Sequence, residues 1–269
     1  MSDPADRPVE DKLRADIDGA VATITFNNPE KHNAVSLAMW QRLLMLLEQY
    51  AADPALRVLV IQGAGGKAFV SGADISKFES ERASAEAVAT YNAASAAAYT
   101  ALHGFPKPTI AKVRGYCIGG GVNVAVCCDL RIISDTAKFG IPAAKLGLGY
   151  GYTGVKRLTD IVGISKAMEL FYTAERINAD EALRIGLASR LVDDGELDAH
   201  VASLAETISG NAPMTVATIK AVAREMAKPE AERDLARLDA MVAACFASED
   251  YVEGRRAFME KRPPEFKGR

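Results

Sequence analysis

Three extended apolar runs, RVLVIQG at 57–63, TIAKVRGY at 109–116 and LRIIS at 130–134, recur along this chain with helical sequence between them. Consecutive buried strands joined through helices require crossover connections, so the chain is restricted to stacked layers of sheet and helix, an α/β architecture. A hairpin precedes them. LRADIDGAVATITFNN alternates on both sides of Asp18-Gly19, a dipeptide that supplies the positive φ of a tight turn. Ser36 is placed to cap a helix over LAMWQRLLMLLEQYAAD, and the alanine-rich SAEAVATYNAASAAAYTALHG suits a second helix, ended by Pro106 and Pro108. From about residue 204 the strand signals stop, and helical patterns broken by Pro213, Pro229 and Ser248 continue to RAFMEKR. The expected units are a disordered arm at 1–11, an α/β core at 12–203 and a helical region at 204–269.

Composition excludes several classes of function. At 269 residues, with 49% hydrophobic and 25% charged residues, the chain can bury one large domain with an appendage. A formal net charge of −3 gives no basic footprint for nucleic acid and no polybasic run for a membrane surface. No stretch reaches the roughly 18 uninterrupted apolar residues of a membrane span. The start, MSDPADRPVEDK, is polar and lacks the apolar stretch of a signal peptide, so none is expected in it. Cys117, Cys127, Cys128 and Cys245 show neither metal-ligand nor disulfide spacing, so a reduced cytoplasm and no metal are expected.

Chemistry is sought first at Gly119-Gly120-Gly121, between a strand and a helix. Unpaired N–H groups at a helix start, with no Cβ to hold a ligand away, suit a developing negative charge. Close packing of helix on strand is the alternative, and a phosphate loop lacks its Lys-Ser or Lys-Thr here. A second glycine turn, GAGGKAFVSGADI at 63–75, follows the buried strand and presents N–H groups near Gly72 and Ala73. Histidines 32, 103 and 200 are scattered, Cys117 has no base partner in sequence, and Asp129 suits a structural part.

These motifs, in order, resemble the crotonase or enoyl-CoA hydratase/isomerase superfamily. The likeness runs through NPEKHNAVS, AFVSGADI, KPTIAKVRGYCIGGG, CDLRIISDTAKFGIP, LTDIVG, TAERINADEALRIGLASRLV and GRRAFMEKRPPEF. The resemblance implies a spiral of ββα repeats, a C-terminal helical trimerisation region, a homotrimer or dimer of trimers, and an acyl-CoA substrate with coenzyme A as its carrier and no other cofactor. It implies an oxyanion hole from the Ala73 and Gly120 amides, which would hold a thioester carbonyl as it becomes an enolate. It also implies coenzyme A contacts from Lys31, Ala34, Ala73, Asp74, Ile75, Phe258 and Lys261, the last two often supplied by a neighbouring subunit.

The chain departs from the family it resembles at the reacting groups. Hydratases of the family place two glutamates across the substrate double bond; the matching positions here are Asn123 and Ala143, and the aspartate of dienoyl isomerases falls at Gly151. An amide orients water or a polar substituent but does not exchange a proton. The acyl pocket is expected from Gly119, Ala143, Tyr150 and Tyr152, with Tyr150 and Asn123 handling a polar acyl end. Three readings stay open: enolate stabilisation without the glutamates, including decarboxylation; hydration or isomerisation through water or a tyrosine; and silent acyl-CoA binding.

Overall fold

The computed structural model describes residues 7–74 and 84–269, so residues 1–6 and the candidate contact Ile75 lie outside the described residues. The arm expected over 1–11 overlaps a helix. Val9–Lys12 form one helical turn, α1, with Val9 packed against the core and the Asp11 carbonyl accepting from the Asn27 side chain.

The hairpin follows as expected. Strands β1 (Leu13–Asp18) and β2 (Val21–Phe26) pair antiparallel with Asp18 opposite Val21, and Gly19 supplies a φ of +55° in the turn. Helix α2 (Leu37–Ala52) starts where the Ser36 hydroxyl accepts from the Met39 N–H. The Lys107 ammonium closes its other end by donating to the Tyr50 carbonyl at 2.6 Å and to the Asp53 carbonyl.

A repeat then sets in. Strands β3 (Val58–Gly63) and β4 (Ala68–Val70) precede α3 (Ala85–His103); β5 (Thr109–Val113) and β6 (Tyr116–Ile118) precede α4 (Gly120–Cys127); β7 (Leu130–Ser134) and β8 (Lys138–Gly140) precede α5 (Tyr152–Val162) and α6 (Ile164–Thr173). The first strand of each pair joins one sheet and the second joins another, so the chain spirals between two layers. The six-stranded sheet runs β1-β2-β3-β5-β7-β10 and the four-stranded sheet β4-β6-β8-β9, where β9 is Arg176–Asn178 and β10 is Arg190–Val192, with α7 (Ala179–Arg184) between them. This is the expected spiral of ββα repeats.

The boundary expected at 203/204 divides a helix. Helix α8 (Leu197–Gly210) lays Leu197, Val201 and Ala205 against Val58, Val60, Ile110 and Ile132 of the six-stranded sheet, so it covers the core. Its apolar residues at four-residue spacing form one face, which is why it docks there. The peripheral helices are α9 (Pro213–Met226), α10 (Leu235–Ala247) and α11 (Glu249–Glu260). Among the described residues no helix is long and apolar enough to cross a membrane.

Candidate active site

The two glycine turns, 48 residues apart in sequence, touch. A Cβ built on Gly72 would lie 3.5 Å from the Gly120 nitrogen, and one on Gly120 would lie 3.5 Å from Gly72 Cα. Each glycine answers a different demand. Gly119 takes a φ of +55° to turn from β6 into α4, while a Cβ on Gly121 would fall 2.0 Å from the Val70 carbonyl oxygen, so the helix can start against β4 only without a side chain. Of the two uses such a triplet admits, close packing and ligand access, Gly121 serves packing; a Cβ on Gly120 would fall 2.9 Å from the Tyr99 hydroxyl, so Gly120 serves packing too and offers a ligand only its N–H.

The Ala73 and Gly120 amides therefore come into one neighbourhood. Among the described residues neither finds an acceptor, although Gly119 N–H donates to Gly140, Asp74 N–H to Val35, and Val35 N–H to the Gly72 carbonyl. A parallel bridge between Val35 and Ala73 fixes the second turn against the NPEKHNAVS loop. That loop is held from inside by Asn33, whose side-chain nitrogen donates to the Ala64 and Ala68 carbonyls at 2.9 and 2.7 Å and whose side-chain oxygen accepts from the Asn28 N–H.

Among the described residues, the side chains that stand beside the Gly120 turn on α4 and ahead of α5 are neutral. Asn123 follows Gly120 by three residues on α4, and Asn123 Oδ1 would lie 3.3 Å from a Cβ on Gly154; the Tyr150 ring would lie 3.0 Å from the same point. Gly154 thus makes room for both. The Tyr150 hydroxyl donates to the Gly119 carbonyl at 3.3 Å, and its ring stands edge-on to Phe171 at 4.9 Å. Burial pushes the Tyr150 phenol above its ordinary value, and Tyr99 well above, so both stay protonated near neutrality. Ala143 is buried in the helical turn Pro142–Leu146, next to the proline whose Cδ approaches Gly119.

Comparison with known proteins gives the family. The sequence matches the family profile described as enoyl-CoA hydratase/isomerase over residues 16–269. It is 36% identical to the crotonyl-CoA hydratase of Syntrophomonas wolfei, covering 91% of this chain and 94% of that one. The chain belongs to the enoyl-CoA hydratase/isomerase family. It is also 36% identical to the carnitinyl-CoA dehydratase of Proteus mirabilis, over 93% of this chain and 96% of that protein. A crystal structure of an enoyl-CoA hydratase/carnitine racemase from Magnetospirillum magneticum superposes with a TM-score of 0.89 at 34% identity, covering 96% of each chain.

The residues expected at enoyl-CoA hydratase/isomerase family positions are not all brought together. Lys31 pairs with Asp74 at 3.2 Å, and Asp74 is buried, so the carboxylate holds the lysine at the rim of the second glycine turn. Ala34 is buried, its carbonyl accepting from the Asn28 side chain at 3.1 Å. Tyr152, expected in the acyl pocket, opens α5 and is 78% exposed. Phe258, 82% exposed, leaves the last turns of α11, and Lys261 ends that helix with a φ of +54°. Asp129 ties elements together: its Oδ2 accepts from the Thr109 N–H and hydroxyl and from Lys220 at 2.6 Å. Burial raises the Cys117 thiol well above its ordinary range, against a thiolate role.

Sequence reasoning passed over Tyr99, Tyr91 and Trp40. Tyr99 donates to the Gly120 carbonyl at 3.2 Å and meets the Asn123 side chain, and its ring lies edge-on to Trp40 at 4.9 Å. The signal available was two large phenols eight residues apart in a helix otherwise dominated by alanine.

Proposed function

We propose that the chain binds acyl-CoA thioesters and stabilises enolate character on the thioester between the Ala73 and Gly120 amides, with coenzyme A arriving as part of the substrate. The observation that carries this is the contact of the two glycine turns, with both amides unspent among the described residues. Preorganised donors aimed at developing charge are commonly the largest catalytic contribution, about 3–4 kcal/mol for one donor.

The residues at positions 123 and 143 narrow the chemistry. Asn123 and Ala143 stand where hydratases of the family carry glutamates, so proton transfer by the two-carboxylate route has no agent at these positions. Loss of CO2 from a malonyl-type thioester avoids that requirement. The electron pair of the broken C–C bond becomes the enolate, no base is needed for cleavage, and the α-carbon is protonated afterwards. Asn123 and Ala143 in place of two glutamates also repel the substrate carboxylate less, and Asn123 can orient that polar end. The second reading, hydration of a short enoyl-CoA through water or a tyrosine, is favoured by the names of relatives such as the short-chain-enoyl-CoA hydratase of Clostridium acetobutylicum, 35% identical over 94% of this chain.

Lys31 suits the anionic nucleotide part of coenzyme A, and Phe258 with Lys261 suits a clamp on a neighbour's substrate in a trimer or a dimer of trimers. Four free cysteines accord with a cytoplasmic setting. Calorimetry with short, medium and aromatic acyl-CoA thioesters tests the binding. No heat with any of them removes the proposal, and binding without turnover of any substrate leaves a silent binder. Measuring CO2 from methylmalonyl-CoA and hydration of crotonyl-CoA in one preparation separates the two reactions. Brisk hydration with no CO2 selects the second reading.

A further inference from the structure

Each of the two amides, unspent among the described residues, belongs to a peptide unit whose other end is occupied. The Gly120 N–H shares its unit with the Gly119 carbonyl, which accepts from Val122 N–H at 3.0 Å, Asn123 N–H at 3.3 Å and the Tyr150 hydroxyl at 3.3 Å. The next unit, Gly120–Gly121, has its carbonyl held by the Tyr99 hydroxyl at 3.2 Å. Opposite, the Ala73 N–H shares its unit with the Gly72 carbonyl, which accepts from Val35 N–H at 2.8 Å. Val35 is itself fixed, because its carbonyl accepts from the Tyr91 hydroxyl at 2.9 Å and Tyr91 accepts from Trp40 Nε1 at 2.8 Å. Trp40 spans both sides, since its ring also abuts Tyr99.

A donor on the carbonyl of a peptide unit draws electron density from the nitrogen and makes the N–H a stronger donor. We propose that Tyr150 and Tyr99 are positioning residues that act through the Gly119–Gly121 backbone: Tyr150 polarises and aims the Gly120 N–H, and Tyr99 braces the following peptide. This gives Tyr150 a task other than contact with the acyl end. The phenols suit it because burial keeps their protons in place. The inference rests on reading the Ala73 and Gly120 amides as donors to a thioester oxygen.

The test uses butyryl-CoA labelled with 13C at the thioester carbonyl, bound to the full chain and followed by infrared difference spectroscopy. In the unmodified protein the carbonyl band moves to lower frequency than in free butyryl-CoA. Tyr150→Phe returns roughly half of that displacement and lowers kcat about fivefold on whichever substrate is turned over, while the butyryl-CoA Kd changes less than about twofold. Tyr99→Phe acts in the same direction by less. Replacing Tyr150 with 3-fluorotyrosine, a stronger donor of the same shape, increases the displacement and decides the matter if Tyr150→Phe does not fold. An unchanged band in both Tyr150 variants overturns the proposal. A band that is not displaced in the unmodified protein overturns the reading of the amides as well.

Discussion

At Gly121 the absence of one carbon decides whether two elements can meet. Gly121→Ala places a Cβ 2.0 Å from the Val70 carbonyl, backbone against backbone, and the expected loss is about 3 kcal/mol, read as a lower urea midpoint with an unchanged slope. Ionisation gives a second expectation. Folding raises the Tyr150 and Tyr99 phenols above 10, so the folded state keeps protons that the unfolded chain releases there. Their contribution is complete below pH 10 and is lost as pH rises above it. Stability measured by denaturation from about pH 9 upward should fall, and fall less steeply in Tyr99→Phe/Tyr150→Phe. His103 acts on the acid side. Burial first, then the charges of Arg157 and Arg224, lower it to about 4 from 6.5, so the folded state stays neutral where the unfolded chain takes up a proton. Stability is then lost as pH falls from about 6.5 to about 4, and His103→Gln should flatten that limb. The glycine turns were legible as residues, because a triple glycine between strand and helix admits few uses. Tyr99 was not, because its value lies in a hydroxyl reaching Gly120 from another helix, and no periodicity records that.

Among the elements, the hairpin, the capped helix α2 and the alternating strands could be read from turn chemistry and apolar pattern alone. Those signals are local, and each element satisfies its own. The division of successive strands between two sheets was supplied by resemblance, since nothing in a three-residue strand such as AFV at 68–70 states which neighbour it will find. Helix α8 shows the opposite failure. Its sequence is helical, but whether it belongs to the core or to the appendage depends on a sheet face formed far upstream. Val201, buried against Val58 and Ile110, tests the reassignment. Val201→Ala should cost about 1–2 kcal/mol in two-state unfolding, whereas the same change at exposed Val252 in α11 should cost less than about 0.5 kcal/mol in the separated chain.

For the molecule as a whole, the outer helices leave a groove of about 630 Å³ lined by Met214, Ile219, Val242, Phe246, Tyr251 and Phe258, with Phe246 62% exposed and Phe258 82% exposed. Apolar area of this kind suits cover by further copies of the chain. Light scattering should give three or six times the 28.7 kDa chain mass, and Phe246→Glu should shift the population toward the single chain. The neighbouring amides of Ala73 and Gly120, as the donors proposed above, have a different reach. Because the groups are main chain, an alanine scan passes over them, and a survey of tolerated side chains would score both positions by bulk rather than by chemistry. Only a proline, or an ester in place of the amide, deletes the donor. A lineage can therefore exchange every proton-handling side chain around this pair, and so change its reaction, without disturbing the one component that all such reactions would share.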